Sequence, residues 1–587
     1  MNDTLTRQET KAITEISKFQ KKRQNILESL CASASDQECK IIFRTSIHQE
    51  NSYSYADILE GAKAVARHFL KMGIPSKSRV IIILPTCVEF QYCFYGAMLA
   101  GCIPVPVAPV SFGTQDAEYY NNRLSSVINN SDCHHIISFE RDINTLTDRL
   151  GFKPVDINFT CLEHIEFTSS DGFDYCRPQL DDICFIQYTS GSTGSEPKGV
   201  PLTHRNVLAN LEGMGAAQDM GPSDKIVSWM PLYHDMGLLG AMLLSVHYSL
   251  KKLILIAPIM IARPIIWLKY ITDHQMTLTL GNNFSYRLCV KKISDKDTST
   301  LNLESLRLAF NGSEPIDVGV IEEFNAKFGP VGFKKAAMMP CYGLAEATLG
   351  VTFSPVLEEP KILEVDSGQL SYGSTVKPIL SKDALQNTVK LVALGSPLFC
   401  LQVKILDYQG KTLPDMVVGK IYISGDSVMN GYYVDGGYDR SRFEGDWFFT
   451  GDLGFLYDGN LYFTGREKEL IIIRGENYSA IDIENVVNST ENIDFDYNSI
   501  ACSINMDHGE SLAILIETKE TLQEKLQSLM DVVQLRLLEC MGIKASRISI
   551  VPPKSIPLTL NGKIRRRECS NFFRADSCNT YDYLFAE

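Results

Sequence analysis

Short apolar, β-branched runs alternate with longer helical patterns over the first part of the chain, and this alternation restricts the fold more than any other feature. The runs fall at 79–85, 103–107, 135–139 and 183–188, and again at 225–229, 253–256, 306–310 and 336–342. Between them lie helical patterns such as 87–100 and 317–328; the second places Ile321, Phe324 and Phe328 at helical spacing. Successive parallel strands need long crossovers, usually helices. The pattern therefore predicts βαβ units and largely parallel sheets, an α/β fold. From 391 onward the texture changes. Runs at 400–406, 419–424 and 461–464 are separated by tight Gly/Asp turns, which predicts a small, mostly antiparallel, barrel-like β subdomain. Past a boundary near 466–469 a compact α+β tail is expected. It should hold a helix near 480–487, strands near 499–503 and 512–517, a helix within 520–540 and a strand near 548–551.

The remaining bounds are broad. A chain of 587 residues holds several domains or one large multi-lobed one. A net charge of −14 disfavours a general nucleic-acid role, which calls for a basic face. Sixteen cysteines lie scattered without Cys-x-x-Cys pairs, as expected of reduced core residues in a reducing, cytoplasmic compartment. Residues 1–24 are polar and charged, with no apolar signal-peptide core. The apolar stretch 253–268 is interrupted by Pro258, Arg263 and Pro264, so a buried strand followed by a helix is expected and not a membrane span.

One segment carries chemistry. Tyr188-Thr189-Ser190-Gly191-Ser192-Thr193-Gly194-Ser195-Glu196-Pro197-Lys198-Gly199-Val200 follows an apolar run. Glycines let a backbone curl closely around a charged group. Hydroxyls and free N–H groups donate to phosphate oxygens, and Lys198 adds positive charge. A polyphosphate is the expected guest. The order is not that of a P-loop, because Gly199 and not Ser or Thr follows Lys198.

This segment resembles the phosphate loop of the adenylate-forming enzymes. Three further segments extend the resemblance in the right order: Tyr342-Gly343-Leu344-Ala345-Glu346, Thr450-Gly451-Asp452 and Asn561-Gly562-Lys563. It runs from about 52 to about 567 and implies a large N-terminal lobe at 1–465, with two βαβ-rich subdomains at 1–180 and 181–390 and the β subdomain at 391–465. A small mobile α+β C-terminal domain, 466–587, would follow, hinged near Lys468. The activity implied is the joining of a carboxylate to the α-phosphate of ATP with release of pyrophosphate.

The resemblance also implies roles. Thr189, Ser190, Gly191, Ser192, Thr193, Gly194 and Lys198 would cradle the β and γ phosphates. Glu346 would help hold Mg²⁺, which takes few protein carboxylates and bridges phosphate oxygens. Tyr342 and Gly343 on one side, with Asn311, Gly312 and Ser313 on the other, would form the adenine slot. Asp452 would accept from the ribose hydroxyls, with Arg466 as a second ribose or phosphate contact. Lys563 would be the catalytic lysine, placed between carboxylate and α-phosphate as they approach. His234 and Asp235 lie in Met230-Pro231-Leu232-Tyr233-His234-Asp235-Met236-Gly237. A His-Asp pair suggests acid–base work, but the attacking carboxylate needs no deprotonation. The loop is read as an acyl-pocket wall, with Met230, Met236 and Phe284 as further acyl contacts.

The His-Asp-Met-Gly-Leu string, the stretch 281–290, the segment 311–315 and an insertion at about 356–390 look most like fatty acyl-AMP ligases. That resemblance implies a fatty acid substrate and acyl transfer to the phosphopantetheine of an acyl carrier protein. It also implies that the insertion restricts domain rotation. The basic run Arg565, Arg566 and Arg567 is then an expected docking patch for an acidic carrier. An acyl-CoA synthetase is the alternative, and a catalytically silent lipid or nucleotide binder the second.

Overall fold

The computed structural model describes residues 23–584 apart from 37, 45–48, 110–116, 153–155, 168–173, 190–196, 257–258, 380–387, 435, 474–475, 489–496, 507–508, 558–563 and 574–580. Two parallel sheets dominate. The first has four strands in the order Ile103–Val107, Arg79–Ile83, His135–Ser138, Asn158–Cys161, every pairing parallel. The second has nine. Its six central strands, Met338–Gly343, Leu308–Asn311, Leu278–Gly281, Lys225–Ser228, Lys252–Ile256 and Lys40–Arg44, all run parallel. Antiparallel strands complete its edges: Glu50–Ser54 at one side, Gly350–Phe353 and Ser396–Pro397 at the other.

The sequence pattern explains these sheets. Parallel strands are covered on both faces and so read as unbroken apolar runs. Arg79–Ile83 and Lys252–Ile256 are buried along nearly their whole length. The helix Val88–Leu99, buried on all sides, packs against Tyr55–Lys71, whose N-terminus is closed by a Ser54/Asp57 capping box. The stretch 253–268 resolves as expected into the buried strand Lys252–Ile256 and the start of helix Ile265–His274. No helix among the described residues is long and apolar enough to cross a membrane.

One strand departs from expectation. Ile183–Tyr188 is not part of a parallel βαβ unit. It pairs antiparallel with Gly199–Thr203 in a four-stranded sheet completed by Tyr432–Val434 and Gly437–Asp439. The glycine-rich segment joining the two strands is too short for a parallel crossover, so the chain doubles back.

The region after 391 is antiparallel, as its turns suggest. Leu401–Leu406, Gly419–Gly425, Trp447–Tyr457 and Phe443–Glu444 form a sheet, and Asn460–Arg466 pairs with Trp447–Tyr457. In the stretch expected to be an insertion, Ile362–Asp366 pairs antiparallel with Thr388–Val392. Leu363, Val365, Leu370 and Val376 pack there against Val418, Phe455 and Tyr462, so the described residues of this stretch share a small core. Beyond 470 lie the hairpin Leu470–Ile473/Glu476–Ser479 and helix Ala480–Asn488. A sheet of Tyr497–Met506, Gly509–Thr518, Arg547–Val551 and Tyr581–Leu584 follows, covered by helix Gln523–Met541.

Candidate active site

The C-terminal ends of three adjacent parallel strands open into one cavity of about 320 Å³. Leu280, Phe310 and Tyr342 each sit near the end of a strand and line it. Such strand ends are where open α/β sheets bind ligands. Gln187 and Tyr188 at the end of Ile183–Tyr188, with Thr450, Gly451, Asp452 and Arg466 of the antiparallel sheet, line the cavity as well.

The turn after Met338–Gly343 places the first carboxylate. Gly343 is required there: a Cβ would lie 2.1 Å from the Leu349 carbonyl oxygen. That crowding accompanies the Leu344 N–H donating to Leu349 O at 2.9 Å, which closes the turn carrying Glu346. The Met429 N–H donates to the Glu346 carbonyl at 2.8 Å, and the Tyr432 hydroxyl donates to Glu346 Oε1 at 2.6 Å. Burial pushes the Glu346 carboxyl above its usual range, with Tyr432 and Arg442 pulling the other way. Lys198 Nζ stands 4.4 Å from the Tyr432 ring centroid. Burial and the neighbouring Arg442 charge lower the Lys198 ammonium. Lys198, Arg442 and Lys468 all line this end of the cavity, and Thr189 joins them, its N–H donating to Lys198 O at 3.1 Å.

The second carboxylate is set by strand register. Asp452 and Arg466 face each other across the Trp447–Tyr457/Asn460–Arg466 pair, with Arg466 Nε 3.2 Å from Asp452 Oδ1. The Tyr342 hydroxyl donates to Asp452 Oδ2 at 2.6 Å. Gly451 adopts φ +88°, a conformation glycine takes without strain, and turns the chain beside the Arg442 guanidinium. Burial raises the Asp452 carboxyl, against the pull of Arg466. Two carboxylates, two tyrosines and four cations thus converge at one end of the cavity.

The other end is apolar. Met214, Leu280, Phe310, Leu349 and Phe353 line it. Gly240 keeps it open: a Cβ there would come within 2.8 Å of Leu280 and 3.2 Å of Leu349 side-chain carbons. His234, Asp235 and Met236 sit on the wall, with His234 Nδ1 2.7 Å from Asp235 Oδ1 and both of these atoms accepting from the Met236 N–H.

The structure brings together Thr189, Lys198, His234, Asp235, Met236, Gly312, Ser313, Tyr342, Gly343, Glu346, Asp452, Arg466 and Lys468 around this cavity. It corrects three expectations. Phe284 is exposed on helix Asn283–Lys292, away from the cavity lining, because Tyr286 and Cys289 take that helix's buried face. Met230 is buried behind the wall, where the Met230 and Pro231 carbonyls crowd against Gly237. Asn311 is fully buried beneath Gly312, its Nδ2 donating to Asn283 Oδ1 at 3.2 Å, so it supports the wall without lining it. Ser190, Gly191, Ser192, Thr193, Gly194 and Lys563 lie outside the described residues.

The basic run also changes meaning. Arg566 forms a buried ion pair with Glu484 and donates to the Ala501 carbonyl at 2.9 Å. Arg565 pairs with Glu568. Arg566 therefore ties the C-terminal sheet together and is not a docking residue. Sequence reasoning missed Tyr432, Arg442 and the apolar strand-end residues. The signal for Phe310 was present, since it ends the run 306–310 read as a strand; Leu280 fell in no run read as a strand, and Tyr432 and Arg442 had no short-range signal.

Comparison with known proteins agrees with this geometry. Residues 32–433 match the family described as AMP-binding enzyme, and 468–581 match the AMP domain of Disco-interacting protein 2-like proteins. The chain is 30% identical over 576 residues to a medium-chain-fatty-acid–[acyl-carrier-protein] ligase of Teredinibacter turnerae, covering 87% of each. It is 29% identical over 560 residues to a long-chain-fatty-acid–AMP ligase of Mycobacterium tuberculosis, covering 91% of this chain and 93% of that one. A solved fatty acyl-adenylate ligase of L. pneumophila, in complex with acyl adenylate and pyrophosphate, superposes with a TM-score of 0.71 at 30% identity, over 96% of this chain and 98% of the other.

Proposed function

Because the chain belongs to the AMP-binding enzymes, we propose that it activates a fatty acid with ATP to a fatty acyl-adenylate, releasing pyrophosphate. The observation that carries this reading is the two-ended cavity, ionic around Glu346, Lys198, Arg442, Asp452 and Arg466, and apolar around Met214, Phe310 and Phe353. The ionic end suits the nucleotide. Asp452, steadied by Tyr342 and Arg466, keeps lone pairs for the ribose hydroxyls. Lys198, Arg442 and Lys468 offer the positive charge a triphosphate requires. The apolar end suits an alkyl chain, each buried methylene contributing about 0.8 kcal/mol.

Mg²⁺ fits the residues present. Among the described residues no cluster of three or more acidic, histidine or cysteine side chains could cage a metal, and Mg²⁺ needs only one or two carboxylates beside substrate phosphates. Glu346 would hold it; bound there, the ion would neutralise phosphate charge. Lys563, from the Asn-Gly-Lys segment, is assigned to the reacting carboxylate and α-phosphate. One charge pair at ~4 Å and an effective dielectric of ~20 is worth roughly 4 kcal/mol. That is about three decades in rate.

The acceptor is proposed to be the phosphopantetheine thiol of an acyl carrier protein, in line with the carrier-protein ligase of T. turnerae. The insertion supports this. Its Tyr372 ring lies 4.2 Å from Tyr408, Lys420 Nζ lies 4.2 Å over Tyr408, and the same ammonium pairs with Glu467 Oε1 at 2.9 Å. Glu467 sits in the turn Glu467–Glu469 beside the proposed hinge Lys468. The insertion is thus linked to the hinge, where it would resist the rotation that thiolation by free coenzyme A requires. The test is an acyl-transfer assay with MgATP and dodecanoate, following acyl-adenylate alone, with coenzyme A and with a phosphopantetheinylated carrier protein. Consumption by the carrier protein and not by coenzyme A is expected. Ready acyl-CoA formation would make the chain an acyl-CoA synthetase.

A further inference from the structure

We propose that Gln218, at the far end of the cavity, hydrogen-bonds a hydroxyl on the distal part of the acyl chain, so that the preferred acid is a hydroxylated one. This rests on the acyl-adenylation reading above and narrows its substrate class.

The position follows from one helix. His204–Ala217 runs along the cavity away from Glu346. Near its start, Asn206 Nδ2 donates to Asp426 O at 2.7 Å and Val428 O at 3.1 Å, next to the Met429 that holds the Glu346 carbonyl. One turn on, Asn210 Nδ2 donates to Ala347 O at 3.2 Å and Gly350 O at 2.8 Å. A further turn brings Met214, whose Cγ is 3.1 Å from where a Gly350 Cβ would stand. Gln218, one more turn along the same face, caps the helix. At 1.5 Å per residue it lies about 12 Å beyond Asn210 along the axis. The carboxylate-activating end and Gln218 are therefore separated by the apolar stretch in which an acyl chain would lie.

Gln218 is an unusual residue to close such a pocket. It lines the cavity, is 2% exposed, and its Oε1 is buried with no hydrogen-bond partner among the described residues. Its backbone is held firmly. The Gln218 N–H donates to Met214 O at 3.0 Å, and Arg307 donates to Gln218 O at 2.7 Å. Arg307 is itself fixed by two bonds to the Asp224 carboxylate, at 2.8 and 2.6 Å. A buried amide oxygen without a partner is costly, and apolar neighbours offer it none. Gln187, whose Oε1 is likewise unpartnered, differs in that its Nε2 already donates to Tyr233 O at 3.1 Å. A carboxamide both donates and accepts, as does a hydroxyl, so the two groups match without any change of charge. A site that hydrogen-bonds a substrate hydroxyl rejects the analogue lacking it more strongly than a size-matched apolar pocket does.

The experiment measures pyrophosphate release by the full chain with MgATP. Plain fatty acids of increasing length are compared with ω-hydroxy and in-chain hydroxy acids of the same lengths. At the best length, the hydroxy acid should exceed the plain acid by about tenfold or more in kcat/KM. Gln218→Leu should remove that preference by raising the plain acid and lowering the hydroxy acid, and Gln218→Met should do the same. A plain acid used as well as, or better than, its hydroxy counterpart at every length would overturn the role of Gln218 while leaving adenylation intact. So would a preference unchanged in both variants. No pyrophosphate release with any acid would overturn the adenylation reading, and this inference with it.

Discussion

The two ends of the cavity are built on different principles. The ionic end is made from short, contiguous segments, each holding its chemistry within a few residues: Tyr342 to Glu346, Thr450 to Asp452, and Lys198 beside its glycine-rich loop. The apolar end draws single side chains from separate elements: Met214 from a helix, Leu280 and Phe310 from two strands, and Phe353 from a third. Charge must be placed to within fractions of an ångström, which fixes residue type and local backbone together. Apolar burial is non-directional and tolerates many residues of similar volume. A nucleotide site is thus written in motifs, whereas an acyl site is written in shape.

Substitutions at the two ends should therefore fail in different ways. The largest effect is expected from Lys563→Ala, which should lower acyl-adenylate formation by about two to three decades with every acid tested, the fold surviving. Near-normal adenylate formation in that variant would remove Lys563 from the chemistry. Next, Asp452→Asn should weaken ATP, raising its KM by about ten- to a hundredfold, since a charged acceptor facing the ribose is lost. An ATP KM within a factor of two of the parent would assign Asp452 to structure alone. Gly240→Leu should act only at the other end. It fills space beside Leu280 and Leu349, so activity on long acids should drop about tenfold or more while short acids are spared. Equal losses across chain lengths would mean that Gly240 does not bound the acyl chain.

The smallest effect is thermodynamic and distinguishes the ends by pH. Burial raises the Glu346 carboxyl above its ordinary 4.5. A carboxyl raised in this way binds its proton more tightly folded than unfolded, so folding gains from it in acid and loses that gain as pH rises through the folded value. Ligand-free Glu346→Gln should accordingly melt higher than the parent at neutral pH, with the gap closing in acid, while adenylation is lost. A lower melting temperature at neutral pH would show instead that the Tyr432 hydrogen bond outweighs burial. The apolar wall carries no such titration, and Gly240→Leu should leave the pH profile of stability unchanged.

Much was legible before any coordinates. The β-branched runs marked most strands of both parallel sheets, because strands covered on both faces must be apolar throughout, though Lys40–Arg44, Asn158–Cys161 and Leu278–Gly281 fell outside them and 183–188 proved antiparallel. The turn-rich region after 391 read as antiparallel for the opposite reason, its segments being joined too tightly for crossovers. The errors lie where a residue's role depends on which face a helix presents. Phe284 follows the wall-forming strand Leu278–Gly281 in sequence, yet points outward from its helix. Arg566 belongs to a run of three arginines that looks like a surface, yet its guanidinium is claimed by Glu484, 82 residues away.

By itself the sequence determined most of the alternating architecture and pointed to most of the groups proposed to face the nucleotide, because both depend on local periodicity and on motifs whose members are neighbours along the chain. Only the tertiary structure decided that Asp452 meets Arg466 and Tyr342, that Tyr432 and Arg442 join Glu346, and that Gln218 lines the same cavity. Those relations arise from strand register and helix packing between residues far apart in the chain, and side-chain burial has no sequence signature until the partners that exclude water are in place.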